Sequence, residues 1–193
     1  MKIKTFTIAI LSTCIAVPAL ADQPSFNIFE GGYTNVEDDV KGYTLRGAMS
    51  ITDNLYITGG FGKESSETLE ELSGGESDLT NSRVGLGTNF AITDNTALYG
   101  EIEYMRLTNE IDSELLTDKD TDNGYVAAAG IRSMVTSSTE LYGELGMFRF
   151  DDNQPYATVG VRQYFTDNLG VFAEYTANDN DIEGYAVGVS VKF

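Results

Sequence analysis

The stretch that decides the fold is GYAVGVSVKF, residues Gly184–Phe193. Its apolar residues alternate along one face, which carries Tyr185, Val187, Val189, Val191 and Phe193. The other face carries small or polar residues, namely Ala186, Gly188, Ser190 and Lys192. A period of two over ten residues predicts a β-strand with one apolar face. Because an outward aromatic at a strand end suits a membrane–water interface, the pattern favours a strand of a membrane barrel.

Four short turns with similar sequences divide the rest of the chain. They are Ile51–Asn54, Ile92–Asn95, Val135–Ser138 and Phe165–Asn168. Thr, Asp and Asn favour tight turns because their side chains hydrogen-bond to the nearby backbone. An alternating run follows each turn, such as TALYGEIEYMR after Asn95. The recurrence, with a period of roughly forty residues, indicates a repeated hairpin.

These runs predict an all-β fold, a transmembrane antiparallel up-and-down β-barrel of about ten strands, with eight as the alternative count. The predicted strands are residues 25–34, 42–51, 55–63, 82–91, 96–107, 124–134, 139–150, 155–165, 169–176 and 184–193. Most of them approach the ~10 residues that a tilted strand needs to cross a bilayer. An even number of strands returns both chain ends to one side of the membrane.

Longer polar connections alternate with the short turns. They cover residues 35–41, 64–81, 108–123, 151–154 and 177–183, where twenty of the thirty acidic residues lie. Outer-membrane barrels have short turns on the periplasmic side and longer loops outside. The acidic connections are therefore predicted to be extracellular loops.

The N-terminus has the pattern of a cleaved signal peptide, residues 1–21. Lys2 and Lys4 precede an apolar run, and Ala19–Ala21 is an A-x-A cleavage site. Residues 22–193 then form a single barrel domain. The only Cys, Cys14, lies in the predicted leader, so no disulfide is expected in the barrel.

Composition excludes two classes of function. Thirty Asp and Glu oppose twelve Lys and Arg, which argues against nucleic acid as a partner because that binding needs a cationic surface. The chain has no His, and no spacing pairs a nucleophile with a base. The sequence therefore predicts a protein that is not an enzyme.

Charge distinguishes the two faces of the strands. If the apolar face of each strand points outward, the acidic residues that point inward fall on odd strands: Glu30, Glu101, Glu103, Glu140, Glu144 and Glu174. The inward basic residues fall on even strands: Arg46, Arg83, Arg132, Arg162 and Lys192. Opposite charges on neighbouring strands predict an internal network of ion pairs. Such a network either fills a narrow lumen or lines a constriction that passes small ions.

Three cations end strands on the outward face, at the predicted outer rim: Lys63, Arg106 and Arg149. One interpretation is that they extend to the membrane surface, as cations near an interface commonly do. The other is that they contact lipopolysaccharide phosphates, which suit Arg and Lys.

One acidic stretch has the spacing of a calcium loop. Asp118, Asp120 and Asp122 alternate before Gly124, but the Gly falls one place late and the twelfth position is Ala129 rather than Glu. Loosely bound divalent cations are one interpretation, and a solvated loop is the other. No other cofactor is predicted.

The terminal alternation, with Tyr185 upstream of a final Phe193, resembles the C-terminal signature of bacterial outer-membrane proteins. That resemblance implies recognition by the outer-membrane assembly machinery. The whole chain resembles the small barrels of the OmpX, Ail and OmpA type. SFNIFEGGYTNV and KGYTLRGAMSI are most similar to a porin-like family first noted in plant-pathogenic bacteria and shed in outer-membrane vesicles. The resemblance implies a location in the outer membrane and in its vesicles.

These observations lead to two expectations about function. The first is a non-enzymatic, porin-like or structural barrel with a narrow charged lumen, surrounded by outer-membrane lipid and lipopolysaccharide. The alternative is a surface adhesion or binding protein whose acidic loops contact a host or matrix ligand. Fold alone does not choose between them.

Overall fold

The structure is a computed structural model that describes residues 23–36, 40–66, 76–113, 116–150, 152–179 and 182–193. The predicted signal peptide lies outside these residues, as do parts of all five predicted acidic connections. Within the described part of the chain, no helix is long and apolar enough to cross a bilayer.

The described residues form ten antiparallel strands that close into a barrel, so the predicted count of ten is confirmed and the alternative of eight is wrong. The strands are β1 Ile28–Val36, β2 Val40–Ser50, β3 Leu55–Ser66, β4 Glu76–Thr93, β5 Thr96–Ser113, β6 Leu116–Met134, β7 Thr139–Arg149, β8 Asn153–Tyr164, β9 Leu169–Asn178 and β10 Glu183–Lys192. Each strand pairs with the next along the chain, and β1 pairs with β10 from Ile28↔Lys192 to Val36↔Gly184. Closure leaves the barrel itself with no free sheet edge.

The repeated turns hold one end of the barrel together, here called the turn end. In three turns a Thr Oγ1 accepts a hydrogen bond from the backbone N three residues later: Thr52 from Leu55 (3.1 Å), Thr136 from Thr139 (2.9 Å) and Thr166 from Leu169 (3.0 Å). An Asn at the fourth turn position donates its amide to a carbonyl of another hairpin: Asn54 to Asn89, Asn95 to Met134 and Asn168 to Lys192. The repeat in sequence therefore reflects two recurring contacts, each present in three of the four turns: a Thr that closes the turn and an Asn that joins it to a neighbouring hairpin.

The opposite end, here called the long end, differs from the prediction. Strands β4, β5 and β6 are 18, 18 and 19 residues long, so the predicted connections at 64–81 and 108–123 are too wide. The ladder continues through pairs such as Asp78↔Glu110 and Glu110↔Lys119. The apolar alternation stops there, but backbone pairing does not depend on apolar side chains. This acidic extension of β4–β6 is here called the protruding sheet.

The outward face of the barrel is apolar, with aromatic residues at both boundaries. Tyrosines stand near the long end, in register pairs: Tyr33 with Tyr43, Tyr104 with Tyr125 and Tyr175 with Tyr185. Phenylalanines stand near the turn end: Phe90, Phe165 and Phe193. Side chains between them are also exposed, as Ile102 is at 68%. An apolar band between two aromatic girdles is the surface of a barrel that spans a membrane.

Candidate functional site

The inner face of the barrel holds a compact group of ion pairs. Arg46 Nε lies 2.6 Å from Glu30 Oε2, and Arg162 Nε lies 2.8 Å from Glu30 Oε1. Arg162 also reaches Glu140, with Nη1 2.6 Å from Oε1. The Glu30 and Glu140 side chains are only 2% and 0% exposed. Because a buried carboxylate is costly unless it is paired, both acids depend on these arginines.

Two of the ion pairs cross the lumen rather than joining neighbouring strands. Arg162 on β8 binds Glu30 on β1, and Arg46 on β2 binds Glu174 on β9 at 2.7 Å. In the sheet order β1-β10-β9-β8, each of these bonds joins strands three places apart. The side chains therefore extend across the interior between strands that are not neighbours.

A third arginine completes this group and meets an aromatic residue at the turn end. Arg132 Nε lies 2.7 Å from Glu140 Oε1, and its guanidinium carbon lies 4.6 Å from the centre of the Phe26 ring. Phe26 precedes β1 and packs against Tyr56 and Tyr99, with ring centres 4.9 and 6.2 Å apart. The buried Phe26 ring thereby narrows the turn end of the lumen.

These residues form what we call the balanced cluster, since its three acids face three arginines. Its members are Glu30, Arg46, Arg132, Glu140, Arg162 and Glu174. Four other inward charges form a second set, the acid-rich group, which consists of Arg83, Glu101, Glu103 and Glu144. Arg83 Nη1 is 3.6 Å from Glu103 Oε2, and its Nε is buried without a hydrogen-bond partner. Three acids share one loosely paired cation here, so this group carries a net negative charge.

Four tyrosines that sequence reasoning missed complete the hydrogen bonding of these acids. Their hydroxyls donate as follows: Tyr56 to Glu101 (2.8 Å), Tyr99 to Glu144 (2.6 Å), Tyr156 to Glu144 (2.8 Å) and Tyr142 to Glu174 (2.8 Å). A signal was present, because Leu-Tyr follows three of the four turns at Leu55, Leu98 and Leu141. In each case the Tyr falls on the inward face.

Each of these tyrosine rings lies over a glycine on the neighbouring strand. The pairs are Tyr56 with Gly87, Tyr99 with Gly130, Tyr156 with Gly146 and Tyr142 with Gly160. A Cβ added to any of these glycines would overlap the ring. The inward glycines therefore provide the space in which the rings lie flat against the wall.

A cavity of about 510 Å³ lies inside the barrel and is lined by Glu30, Arg46 and Arg83 among others. Lys192, also predicted to face inward, places its ammonium 3.8 Å from the centre of the Tyr164 ring. Lys192 therefore makes a cation–π interaction with Tyr164 rather than an ion pair with an acid.

The three cations predicted at the outer rim have different surroundings. Lys63 Nζ lies 2.6 Å from Asp78 Oδ2, and Ser65 donates to the same carboxylate. Those two hydrogen bonds hold the pKa of the Asp78 carboxyl below its usual value. Arg106 and Arg149 are exposed, and neither forms an ion pair with any described residue.

The calcium-loop geometry considered for Asp118, Asp120 and Asp122 is not formed. All three belong to strand β6, which begins at Leu116, so the backbone is extended where a calcium loop would curl around the ion. No three His, Cys, Asp or Glu side chains within the described residues are close enough to hold a metal. Weak binding of divalent cations to this surface stays a prediction.

The terminal strand has its two signature aromatics on the outer surface. Tyr185 is 50% and Phe193 63% exposed. The backbone N of Phe193 donates to the carbonyl of Asn27 at 3.2 Å, next to the β1–β10 seam. Recognition of these residues by the assembly machinery stays a prediction.

Comparison with known proteins gives one family and several similar folds. The family described as outer membrane protein beta-barrel domain matches residues 7–193. No curated protein sequence matches the chain. Ail, the attachment invasion locus protein of Yersinia pestis, is 13% identical over 86% of this chain and 95% of its own, with a TM-score of 0.49. The KdgM porin is 10% identical over 86% of this chain and 99% of its own, with a TM-score of 0.49. The translocator domain of autotransporter NalP from Neisseria meningitidis is 14% identical over 86% of this chain and 87% of its own, with a TM-score of 0.47.

Proposed function

The chain belongs to the outer membrane protein beta-barrel family, and on that premise we propose that it is a non-enzymatic barrel whose narrow, charged lumen is closed to solutes. Its place is the bacterial outer membrane, among lipid and lipopolysaccharide. The balanced cluster closes the lumen, and the cavity beside it holds water and small ions. The function is therefore that of a porin-like or structural barrel in its closed form.

The observation that carries this proposal is the pair of bonds across the lumen, from Arg162 to Glu30 and from Arg46 to Glu174. Removing one partner of a buried ion pair costs about 3–5 kcal/mol because the other charge is left unpaired. Opening either bond would leave Glu30 or Glu174, whose side chains are 2% and 11% exposed, without its partner across the lumen. A barrel of ten strands leaves little further space, because eight strands are already filled by side chains.

The experiment is single-channel recording of residues 22–193 refolded into a planar bilayer. The wild-type barrel should show no discrete steps, whereas Arg46→Ala/Arg162→Ala should show them because both bonds across the lumen are lost. The steps should favour cations, since the acid-rich group stays in place. Arg46→Ala alone, at a side chain that is 25% exposed, is the milder variant if the double variant folds poorly.

Lys192→Ala is the matched control, because Lys192 also faces inward but contacts an aromatic ring rather than an acid. It should stay as silent as the wild type. Large, frequent steps from the wild-type barrel would contradict the proposal. Equal silence of every folded variant would contradict the role of the two crossing bonds.

The protruding sheet favours a second candidate function, binding at the cell surface. Strands β4–β6 continue beyond the tyrosine girdle, and acids such as Asp78 and Glu110 lie on this extension. A negatively charged, rigid sheet suits a cationic surface of a host, a matrix or a neighbouring cell. Loosely bound divalent cations would compete for the same acids.

A further inference from the structure

Two arginines flank one strand on the lipid-facing side of the barrel. Arg106 on β5 pairs in register with Asn123 of β6, and Arg149 on β7 pairs with Tyr125 of β6. Neighbouring strands are about 4.8 Å apart, so the two Cα atoms are separated by about 10 Å across the sheet and about 7 Å along it. Two long side chains at that spacing can reach one ligand between them.

Neither arginine has a partner among the described residues, although the chain carries thirty acids and twelve bases. Two described acids on the same outward face bind other cations. Asp78 binds Lys63 at 2.6 Å, and Glu110 binds Lys119 at 3.0 Å. Two adjacent cations that no described acid pairs are unusual in a chain this acidic, and an external anion would neutralise them.

The surface beside the two arginines has side chains held by mutual contacts, and it is polar at one edge. Tyr104 donates its hydroxyl to Asn123 Oδ1 at 2.7 Å, and the Tyr104 and Tyr125 rings meet edge to face with centres 5.9 Å apart. These contacts fix two tyrosines of the girdle between the arginines. From Tyr104 towards the turn end the same face is apolar, with Leu86 and Ile102 exposed at 53% and 68%. A ligand here has its charged part beside the arginines and an apolar part along the barrel wall.

We propose that Arg106 and Arg149 form a binding site for the phosphate of an outer-leaflet glycolipid. The guanidinium group presents paired donors that match phosphate oxygens. The position at the tyrosine girdle is the depth of a lipid headgroup, and the apolar wall below it accepts acyl chains. Lys63 is outside the site because Asp78 already neutralises it. The site is independent of the lumen and of whether the lumen conducts.

The test is native mass spectrometry of the mature barrel mixed in detergent with lipid A, which carries two phosphates. The wild-type protein should retain one lipid A. Arg106→Gln/Arg149→Gln should weaken retention at least tenfold, because the charge-assisted hydrogen bonds from both guanidinium groups to the phosphate are lost. Lys63→Gln is the matched control and should retain lipid A as the wild type does. All three positions are on the outer surface, and a heat-dependent gel shift verifies that each variant is folded.

Two further probes identify the source of the phosphate. Dephosphorylated lipid A should bind as weakly to the wild type as lipid A binds to the double variant. Inorganic phosphate at millimolar concentration should not displace lipid A, because it lacks the apolar part. Equal retention by the wild type and the double variant, equal binding of the dephosphorylated lipid, or full displacement by inorganic phosphate would each overturn the proposal.

Discussion

Among single residues, Glu140 shows most clearly how the lumen is stabilised. Its side chain is fully buried and binds Arg132 at 2.7 Å and Arg162 at 2.6 Å. Glu140→Gln would leave two buried guanidinium groups without their shared anion. We expect the free energy of unfolding to fall by about 3–5 kcal/mol. Urea unfolding in detergent micelles, followed by the heat-dependent gel shift, measures this loss.

Glu110→Gln is the control for Glu140→Gln, because it removes the acid of an exposed ion pair. Glu110 also pairs with a cation, Lys119, but its side chain is 45% exposed. Exposed ion pairs contribute about 0–1 kcal/mol, so this variant should unfold close to the wild type. If both variants lost the same small amount, burial would not be what makes the Glu140 pairs strong.

Sequence could predict which face a charged residue occupies, but not which partner it meets. Alternation along β1 and along β2 places Glu30 and Arg46 on the inward face, and the pairing of these two neighbouring strands brings them together. The bond between Arg162 and Glu30 depends on closure of the barrel, because their strands are three places apart. Phe26 was missed for a related reason. Alternation places Phe26 on the same inward face as Glu30. Its position at the turn end of the lumen, however, follows only from closure of the barrel.

At the scale of paired strands, each tyrosine over a glycine is one unit of packing. Gly160 on β8 pairs with Tyr142 on β7, and a Cβ there would push the ring away from Glu174. We expect Gly160→Ala to lower the free energy of unfolding by about 1–3 kcal/mol, the usual cost of overpacking. The temperature at which the folded band disappears in a gel-shift series measures the change.

Gly143→Ala is the matched control on the same pair of strands. Gly143 faces the lipid, and the nearest atom to an added Cβ is the Thr158 carbonyl oxygen at 3.8 Å, an ordinary contact. This variant should equal or slightly exceed the wild type, because Ala restricts the unfolded chain. A loss as large as that of Gly160→Ala would mean that backbone flexibility, rather than space for the ring, is what the glycines supply.

Strand existence was easier to predict than strand length. Lipid on one side and a filled lumen on the other impose strict alternation, so the membrane-crossing part of each strand is visible in sequence. Beyond the bilayer water covers both faces, and the alternation disappears. Residues such as Thr121 and Asp122 then look like a loop, although β6 begins at Leu116.

For the whole molecule, the protruding sheet should be separable from the barrel. Replacing residues 109–120 with Asn-Gly would remove five acids and one Lys and would close the hairpin next to the pair Thr108↔Thr121. We expect an unchanged unfolding temperature, since the barrel wall is intact. Binding of the protein in nanodiscs to a polylysine surface should fall, and the wild-type signal should weaken with salt.

A hairpin of the same length with its acids changed to Asn and Gln separates charge from shape. It should bind polylysine as poorly as the shortened protein. Binding that survives in both variants would assign the interaction to another part of the surface. It would also remove the support for the second candidate function.

The alternation of acids on odd strands and bases on even strands limits how such a chain can change in size. At the seam β10, which carries Lys192, pairs with β1, which carries Glu30, so the alternation of the two kinds of strand continues across it. Gain or loss of a single strand would place two strands of like charge side by side, with their charges facing each other inside the barrel. Duplication or deletion of an entire hairpin would preserve the sequence of signs. An ancestor of this protein could therefore have grown by pairs of strands, and the recurring turn marks the unit that would have been copied.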